Sequence, residues 1–179
     1  MSAAVARQYV FGYGSLAGLR GRPAQLRGHR RVWGVAMDNR ETIAGYKYYR
    51  RRDGSRPEVF VAFLDIVEEP GAATAGLLVA VEDETALHAL DARERNYDRI
   101  DVTAAVPDAP GTVWAYRGSA AGRERLRTGR RHGTAVADRQ YVAAVRAAFA
   151  LLGAEQDIDP GELPLLNLER VDLPPEPQA

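Results

Sequence analysis

The first segment of this chain that could do chemistry is a glycine-rich loop that directly follows a short β-strand pattern. It reads Gly12-Tyr13-Gly14-Ser15-Leu16. Glycine permits left-handed backbone angles and lets the backbone approach a ligand closely. Consecutive amide N–H groups in such a turn can form an anion-binding nest, which suits a carboxylate. A tight turn without a ligand would have the same composition, so both interpretations stay open at this point.

A second segment, 90–99, is the most charged part of the chain and reads Leu-Asp-Ala-Arg-Glu-Arg-Asn-Tyr-Asp-Arg. It lies between a short helical pattern and an alternating strand pattern. A solvated connector is the usual structure of such a run. Tyr97, however, places a large side chain in its middle, which indicates that one side of the segment is packed against the protein.

Two well-known motifs do not fit the glycine-rich loop. A dinucleotide fingerprint would use Gly12, Gly14 and Gly18, but a Rossmann unit needs a crossover helix after its first strand. The Gly and Pro residues in the stretch 19–30 disfavour that helix. Ser15 lacks the Gly-x-Ser-x-Gly spacing of a nucleophile elbow. The loop is therefore interpreted as a carboxylate cradle or as a plain turn.

Composition excludes several other kinds of site. The chain has 179 residues and no cysteine, so disulfides, thiolate catalysis and cysteine metal sites are ruled out. Its 24 basic and 24 acidic residues give no net attraction to nucleic acid or membranes. The three histidines, His29, His88 and His132, lack spaced ligand partners, so we expect surface or structural roles and no metal. No apolar signal core or membrane-length run is present, and a cytoplasmic location is expected.

Six arginines are concentrated between the last two predicted elements: Arg117, Arg123, Arg125, Arg127, Arg130 and Arg131. We expect the stretch 118–134 to be a basic loop, either solvated or forming an anion-binding rim. A nucleic-acid-binding protein using this loop is a competing function, and the zero net charge argues against it.

Strand patterns outnumber helical ones. The predicted strands cover 9–11, 31–37, 58–67, 75–81, 98–106 and 112–116, with a turn at Pro70-Gly71. Helices are predicted over 83–90 and from an Asp138 cap to Leu152. Most gaps between strands are too short for helical crossovers, which favours a mainly antiparallel or mixed sheet, open or closed, with helices at its ends.

The chain is predicted to form one domain, residues 1–154, followed by a proline-rich C-terminal tail, residues 155–179. Half of the ten prolines lie in this tail. Its leucines, Leu163, Leu165, Leu166 and Leu168, indicate that the first half of the tail packs on the domain.

Taken together, the loop and the charged segment resemble the gamma-glutamylcyclotransferase family, with its ChaC-like and AIG2-like branches. That family opens with a strand leading into Tyr-Gly-Ser, matched by residues 10–16. It later carries Leu-Asp-x-x-Glu followed by Tyr-x-Arg-x-x-Val, matched by residues 90–94 and 97–102. A strand ending in Ala115-Tyr116 and a helix with Tyr141-Val142 are also similar. The resemblance covers about residues 9–152.

The resemblance implies an α+β fold, a small mixed, mainly antiparallel β-barrel with surrounding helices. It also implies an enzyme that releases 5-oxoproline and a free amine from a gamma-glutamyl amide, as the substrate's own α-amine attacks its γ-carbonyl. Glu94 would be the catalytic acid/base, with a pKa raised by partial burial. The residues implied to bind substrate are Tyr13, Gly14, Ser15, Leu16, Tyr97 and Tyr116. No metal or cofactor is needed.

This chain departs from the family pattern at several points. Arg95 stands where many members have Gly after the catalytic Glu, and Leu16 replaces the Asn of some branches. The departures leave the identity of the leaving amine undetermined. Glutathione, a gamma-glutamyl amino acid, a gamma-glutamyl polyamine and a gamma-glutamylated natural product would all present the same gamma-glutamyl group. A non-catalytic module that binds an acidic metabolite on the same fold is the alternative function. The sequence does not define the oligomeric state.

Overall fold

The computed structural model describes residues 7–18, 20–154 and 158–177, which form a mixed α+β fold. The strands are β1 (Gln8–Gly12), β2 (Arg22–Asp38), β3 (Lys47–Arg50), β4 (Phe60–Val81), β5 (Tyr97–Asp101), β6 (Thr112–Gly118), β7 (Ala135–Asp138), β8 (Leu165–Leu166) and β9 (Glu169–Asp172). The helices are α1 (Glu84–Arg93), α2 (Ala120–Arg131) and α3 (Arg139–Ala150), with short 3-10 helices at Ser15–Gly18 and Thr103–Ala105.

Seven strands form the main sheet, in the order β5-β6-β1-β4-β7-β8, and β2 also pairs with β4. The long β2–β4 ladder and the β1–β4 and β5–β6 pairs are antiparallel, whereas β1–β6, β4–β7 and β7–β8 are parallel. Strands β3 and β9 make a separate antiparallel pair. The prediction of a mixed, mainly antiparallel sheet with helices around it is confirmed.

Closure into a barrel, which the family resemblance implied, is not observed. Within residues 7–18, 20–154 and 158–177, the edge strands β5 and β8 do not pair with each other. Strand β2 follows β4 along most of its length, while β1 and β7 pair with opposite ends of β4. The sheet therefore branches at β4, with β1 paired to one end of that strand and β7 to the other, and it does not close into a barrel.

Strand β4 is longer than the sequence predicted. Pro70-Gly71 was expected to separate two strands, but one strand of 22 residues runs through it. At this point the β2–β4 register jumps from Arg27↔Ala73 to His29↔Glu68. Gly71 has φ of 85°, a left-handed angle that glycine adopts without strain. The predicted turn is therefore an irregularity inside the strand, bridged because β2 pairs on both sides of it.

The prediction of a basic loop at 118–134 is wrong, because most of this stretch forms helix α2. Ser119 caps the helix by accepting a hydrogen bond from the Gly122 amide at 3.0 Å. Gly122, Leu126 and Gly129 form the buried face at helical spacing. A Cβ at Gly122 would lie 2.6 Å from the Asn96 carbonyl oxygen, so glycine permits this close packing. Two of the three buried residues are glycines, and the apolar stripe that normally marks a helix is missing from the sequence.

The other two helices begin where the sequence predicted. The Asp83 carboxylate accepts the Ala86 amide at 2.8 Å, and the Asp138 carboxylate accepts the Tyr141 amide at 3.1 Å. The buried face of α3 comprises Val142, Val145 and Phe149. It packs into the main core together with side chains of β1 and β4. Helix α1 packs separately, with Leu87 in a cluster with Val10 of β1 and Leu16 of the glycine-rich loop.

The first half of the C-terminal segment packs on the sheet, as its leucines predicted. Strand β8 pairs with β7, strand β9 pairs with β3, and Leu168 is buried. In β9, Arg170 lies opposite Tyr49 of β3. Residues 155–157, at the start of the predicted tail, lie outside the described residues, and the division at residue 154 stays a prediction.

Candidate active site

A small cavity between β1, α1, β6 and α3 brings together all the residues selected from the sequence. Its lining includes Tyr13, Gly14, Ser15, Leu16, Glu94, Tyr97 and Tyr116, together with Phe11, Leu64 and Tyr141. A larger cleft, beside Arg30 and residues 159–164, contains none of the selected residues. The two segments that sequence analysis singled out, about 80 residues apart, therefore meet at one place.

The glycine-rich loop offers backbone donors to this cavity. It connects the end of β1 to the 3-10 helix, and the Ala17 amide donates to the Gly14 carbonyl at 3.0 Å. The first amides of any helical turn lack an internal partner. Within the described residues, the amides of Gly14, Ser15 and Leu16 donate to no other group of the chain. They are therefore available to a ligand.

The loop glycines serve close approach rather than unusual backbone angles. Neither Gly12 nor Gly14 has a positive φ, so the left-handed conformation considered from the sequence is wrong. A Cβ at Gly12 would lie 3.0 Å from the Ala17 nitrogen, and one at Gly14 would lie 3.3 Å from the Tyr141 hydroxyl. At position 12 glycine fits because the loop folds back on itself, and at position 14 a side chain would require Tyr141 of α3 to shift slightly.

Glu94 lies immediately after α1 and faces the same cavity. Its amide donates to the Leu90 carbonyl at 2.9 Å, which ends the helix. The side chain is only 13% exposed, and the Arg93 Nε atom lies 3.6 Å from its carboxylate. Burial raises the pKa of the Glu94 carboxyl, against opposing effects of the Arg93, Lys47 and Arg170 cations. The raised pKa agrees with the expectation from the sequence.

Three of the four tyrosines that line the cavity are held in place by hydrogen bonds from their own hydroxyls. Tyr13 donates to the Tyr116 carbonyl, and Tyr97 donates to the Leu64 carbonyl at 2.6 Å. Tyr116 donates to the Asp91 carboxylate at 2.8 Å. Because each hydroxyl proton is already donated within the protein, these rings form fixed walls and can offer a ligand only an accepting oxygen.

Sequence analysis did not select Tyr141 as a site residue. Its ring makes edge-to-face contacts with Phe63, at 5.2 Å between centroids, and with Trp33, at 5.8 Å. Burial raises the pKa of its hydroxyl, which keeps it protonated at neutral pH. The available signal was its place one residue before Val142, the first buried residue of α3.

The ion pair between the buried Asp65, which follows the cavity residue Leu64, and Arg123 was also missed. The Asp65 side chain is fully buried in β4, and its carboxylate accepts the amides of Gly118 at 2.6 Å and Ile66 at 2.7 Å. Its other oxygen lies 2.9 Å from Arg123 Nε of α2. A single carboxylate thus ties β4 to the end of β6, two residues after Tyr116, and to α2.

Five of the six arginines of 117–131 have partners within the described residues, and none of the six forms a rim around the Glu94 cavity. Arg117 contacts Glu68 at 3.2 Å, and Arg127 contacts Glu124 at 2.7 Å. Arg125 donates to the side chain of Asn96, which belongs to the charged segment, at 2.7 Å. In the described part of the chain, none of the six arginines lines the cavity that contains Glu94. The anion-binding rim considered from the sequence is not supported.

The histidines stand apart from the cavity. His29 lies on β2, within 2.9 Å of the Arg27 carbonyl, and His132 ends helix α2. Across residues 7–18, 20–154 and 158–177, no three His, Cys, Asp or Glu side chains are grouped to hold a metal ion.

A second cavity adjoins the first on the side of Glu94. The two share Ser15, Glu94, Tyr97 and Tyr141 as lining residues. The second cavity adds residues that the sequence analysis did not select, among them Lys47 of β3 and Arg170 of β9.

No helix in the described ranges has the length and apolar character needed to cross a membrane.

Solved structures share this fold at low sequence identity. An uncharacterized human protein has a TM-score of 0.56 and 16% identity, covering 88% of this chain and 91% of that one. A gamma-glutamyl cyclotransferase has a TM-score of 0.52 and 14% identity, covering 87% and 90%. A yeast gamma-glutamyl cyclotransferase specific to glutathione has a TM-score of 0.51 and 14% identity, covering 86% and 96%. At these identities the likeness supports the fold alone.

The comparison with curated proteins gave no match. The family model described as "Gamma-glutamyl cyclotransferase, AIG2-like" matches residues 10–142 of this chain. The match spans both the glycine-rich loop and the charged segment that line the cavity, and it covers most of the chain. The protein therefore belongs to the AIG2-like gamma-glutamyl cyclotransferase family.

Proposed function

We propose that this protein is an enzyme that converts a gamma-glutamyl amide into 5-oxoproline and a free amine. The observation that carries the proposal is the meeting of two groups in one cavity. The Glu94 carboxylate, buried and with a raised pKa, lines the same space as the unpartnered amides of Gly14, Ser15 and Leu16. A proton acceptor beside a set of N–H donors is the arrangement that this reaction requires.

The loop amides bind the gamma-glutamyl head. They donate either to its α-carboxylate or to the γ-carbonyl oxygen, which gains negative charge as the amine attacks. The reaction is intramolecular, so holding the substrate in a folded conformation supplies much of the rate enhancement. The rings of Tyr97 and Tyr116, fixed by their hydrogen bonds to Leu64 and Asp91, orient the folded substrate.

Glu94 moves the proton. It accepts a proton from the α-ammonium, which makes the α-amine nucleophilic, and a new C–N bond closes the five-membered lactam. The attacking nitrogen releases a second proton to water as it becomes the lactam N–H. The bond from the γ-carbon to the leaving nitrogen breaks as Glu94 passes its proton to that nitrogen, and the free amine takes up the second proton from solution. Burial supports this role because a carboxyl with a raised pKa accepts a proton more readily than an exposed one. The chemistry needs no cofactor. That expectation and the cytoplasmic location stay predictions.

A turnover assay tests the proposal. The purified chain would be incubated with gamma-glutamyl amino acids, glutathione and gamma-glutamyl amines, and 5-oxoproline would be quantified by chromatography. We expect 5-oxoproline and the free amine in equal amounts from at least one substrate. Binding of glutamate or a gamma-glutamyl compound by calorimetry, without turnover of any substrate, would contradict the proposal and favour the non-catalytic binding module.

A further inference from the structure

The second cavity, which adjoins Glu94, is strongly cationic. Four basic side chains line it, namely those of Lys47, Arg93, Arg95 and Arg170, against the single carboxylate of Glu94. Two of these cations have carboxylate partners: Arg93 lies 3.6 Å from Glu94, and Arg170 lies 2.7 Å from Asp172. The cavity therefore carries an excess of positive charge that the chain does not neutralise locally.

Of the four cations, Lys47 is the least exposed, and no carboxylate lies in contact with its ammonium. Its ammonium lies 4.5 Å from the ring centroid of Phe63, and the rings of Tyr46 and Tyr49 lie 5.6 and 6.0 Å away. In the three described ranges the Lys47 ammonium forms no ion pair or hydrogen bond with another group of the chain. An aromatic face stabilises a neighbouring cation less than a neighbouring carboxylate would. The Lys47 ammonium, surrounded by aromatic rings and without a carboxylate in contact, can therefore bind an anion.

The electrostatics of Lys47 agree with the geometry. Burial lowers the pKa of its ammonium to about 8, and the Arg170 cation contributes in the same direction, while Glu94 opposes it. The ammonium is destabilised chiefly by loss of water and secondly by a like charge. A bound carboxylate would relieve both effects, because it would replace the lost hydration and offset the Arg170 charge.

The position of the second cavity relates it to one part of the substrate. In the proposed function, the gamma-glutamyl head lies on the loop of residues 13–16 and Glu94 lies at the scissile bond. The second cavity lies beyond Glu94 and shares Ser15 and Tyr97 with the first. A substrate bound in this way would place its leaving amine in the second cavity. A group attached one or two bonds from the leaving nitrogen would then face Lys47 of β3 and Arg170 of β9, which line that cavity.

We propose that Lys47, assisted by Arg170, is a specificity-determining residue that binds a carboxylate carried by the leaving amine. The inference rests on the proposed function and narrows its substrate to gamma-glutamyl derivatives of amino acids or peptides. A polyamine would bring a second ammonium group towards Lys47 and Arg170, where like charges repel. The C-terminal segment belongs to the specificity site, because β9 supplies Arg170.

Two substrates that differ in a single carboxylate test this inference. Gamma-glutamyl-L-alanine and gamma-glutamyl-ethylamine have the same head and scissile bond, and only the first has a carboxylate on the leaving amine. We expect the wild-type kcat/KM to favour the alanine substrate by about ten- to a hundredfold, the range that one charge-assisted hydrogen bond confers. Lys47→Met should reduce this ratio towards one, and Arg170→Gln should reduce it partly.

The ratio separates specificity from a general loss of activity. Lys47 also affects the pKa of Glu94, but that effect acts on both substrates and cancels in the ratio. Lys47→Arg, which keeps the charge, should retain the preference. Arg52→Met removes a charge from an exposed turn and is the matched control, with an unchanged ratio expected.

The results that would overturn the inference differ from those that would overturn the proposed function. Equal cleavage of the two substrates by the wild type, or a preference that survives both Lys47→Met and Arg170→Gln, would overturn the carboxylate site and leave the reaction intact. Failure to release 5-oxoproline from either substrate, or from any other gamma-glutamyl amide, would overturn the proposed function and this inference with it.

Discussion

The buried Asp65 carboxylate lies 2.9 Å from the Arg123 guanidinium, and this pair joins β4 to α2 next to Leu64, which lines the candidate active site. Asp65 is fully buried, whereas Arg123 is about one-third exposed at 35%. The same carboxylate accepts the Gly118 amide, so it also fixes the end of the strand that carries Tyr116. Neither residue lines the cavity that contains Glu94. Their role is to hold the walls of the site.

The first prediction concerns the stability of this pair. Asp65→Ala should lower the free energy of unfolding by about 3–5 kcal/mol, because it leaves the Arg123 cation and two backbone amides without their partner. Arg123→Met should cost less, because its side chain is partly solvated. Urea denaturation of the single and double variants would measure the coupling. Arg127→Met, which breaks an exposed pair with Glu124, is the control and should cost less than about 1 kcal/mol. A similar small loss for Asp65→Ala would contradict the assigned role.

The second prediction concerns pH. A catalytic base must be deprotonated before the reaction, so kcat/KM should fall as the pH falls through the Glu94 pKa. Burial raises that pKa, and the acidic limb should lie above the pH at which an exposed glutamate titrates. Lys47 lowers the pKa of Glu94, and Lys47→Met should therefore move the limb to higher pH. A pH–rate profile with a saturating and a limiting substrate concentration would measure both. An acidic limb that stays in place in Lys47→Met would show that Glu94 does not control it.

The third prediction concerns the packing of the glycine-rich loop. Gly14→Ala would bring a Cβ within 3.3 Å of the Tyr141 hydroxyl, so the loop or α3 must shift by a few tenths of an ångström. We expect a raised KM, since the shift displaces the donors of Ser15 and Leu16. Tyr141→Phe removes the crowding oxygen, and the double variant should recover part of the lost kcat/KM. No recovery in the double variant would show that the contact with Tyr141 is not the cause.

Much of the fold could be predicted because local patterns determine it. The caps Asp83 and Asp138 precede apolar residues at helical spacing, and both helices begin where expected. Helix α2 was missed because its packing face contains two glycines, whose small size matters only where Asn96 and Phe60 lie against it. The single β4 strand was missed because β2 bridges Pro70-Gly71, and strand pairing of this kind has no local signature.

The candidate site was predicted in part. The loop and the charged segment each have a recognisable local pattern, and the cavity contains both. Lys47, Asp65 and Arg170 lack such a pattern, since each acquires its role from contacts with residues distant in sequence. Lys47 and Arg170 meet at the second cavity because β3 pairs with β9, and β9 lies in a segment expected from its prolines to be a tail. Residue type alone did not distinguish these positions from surface charges.

The most direct test of the account is the turnover of Glu94→Gln. Glutamine is nearly the same size and still forms hydrogen bonds, but it cannot accept a proton at neutral pH. The variant should fold and bind substrate, while kcat for 5-oxoproline release falls by at least about a hundredfold, within the roughly 10²–10⁴-fold typical of general acid/base groups. Asp98→Asn and Asp101→Asn change nearby carboxylates outside the cavity, and they should keep most of the activity. Near wild-type kcat in Glu94→Gln, on a substrate that the parent clearly cleaves, would contradict the account.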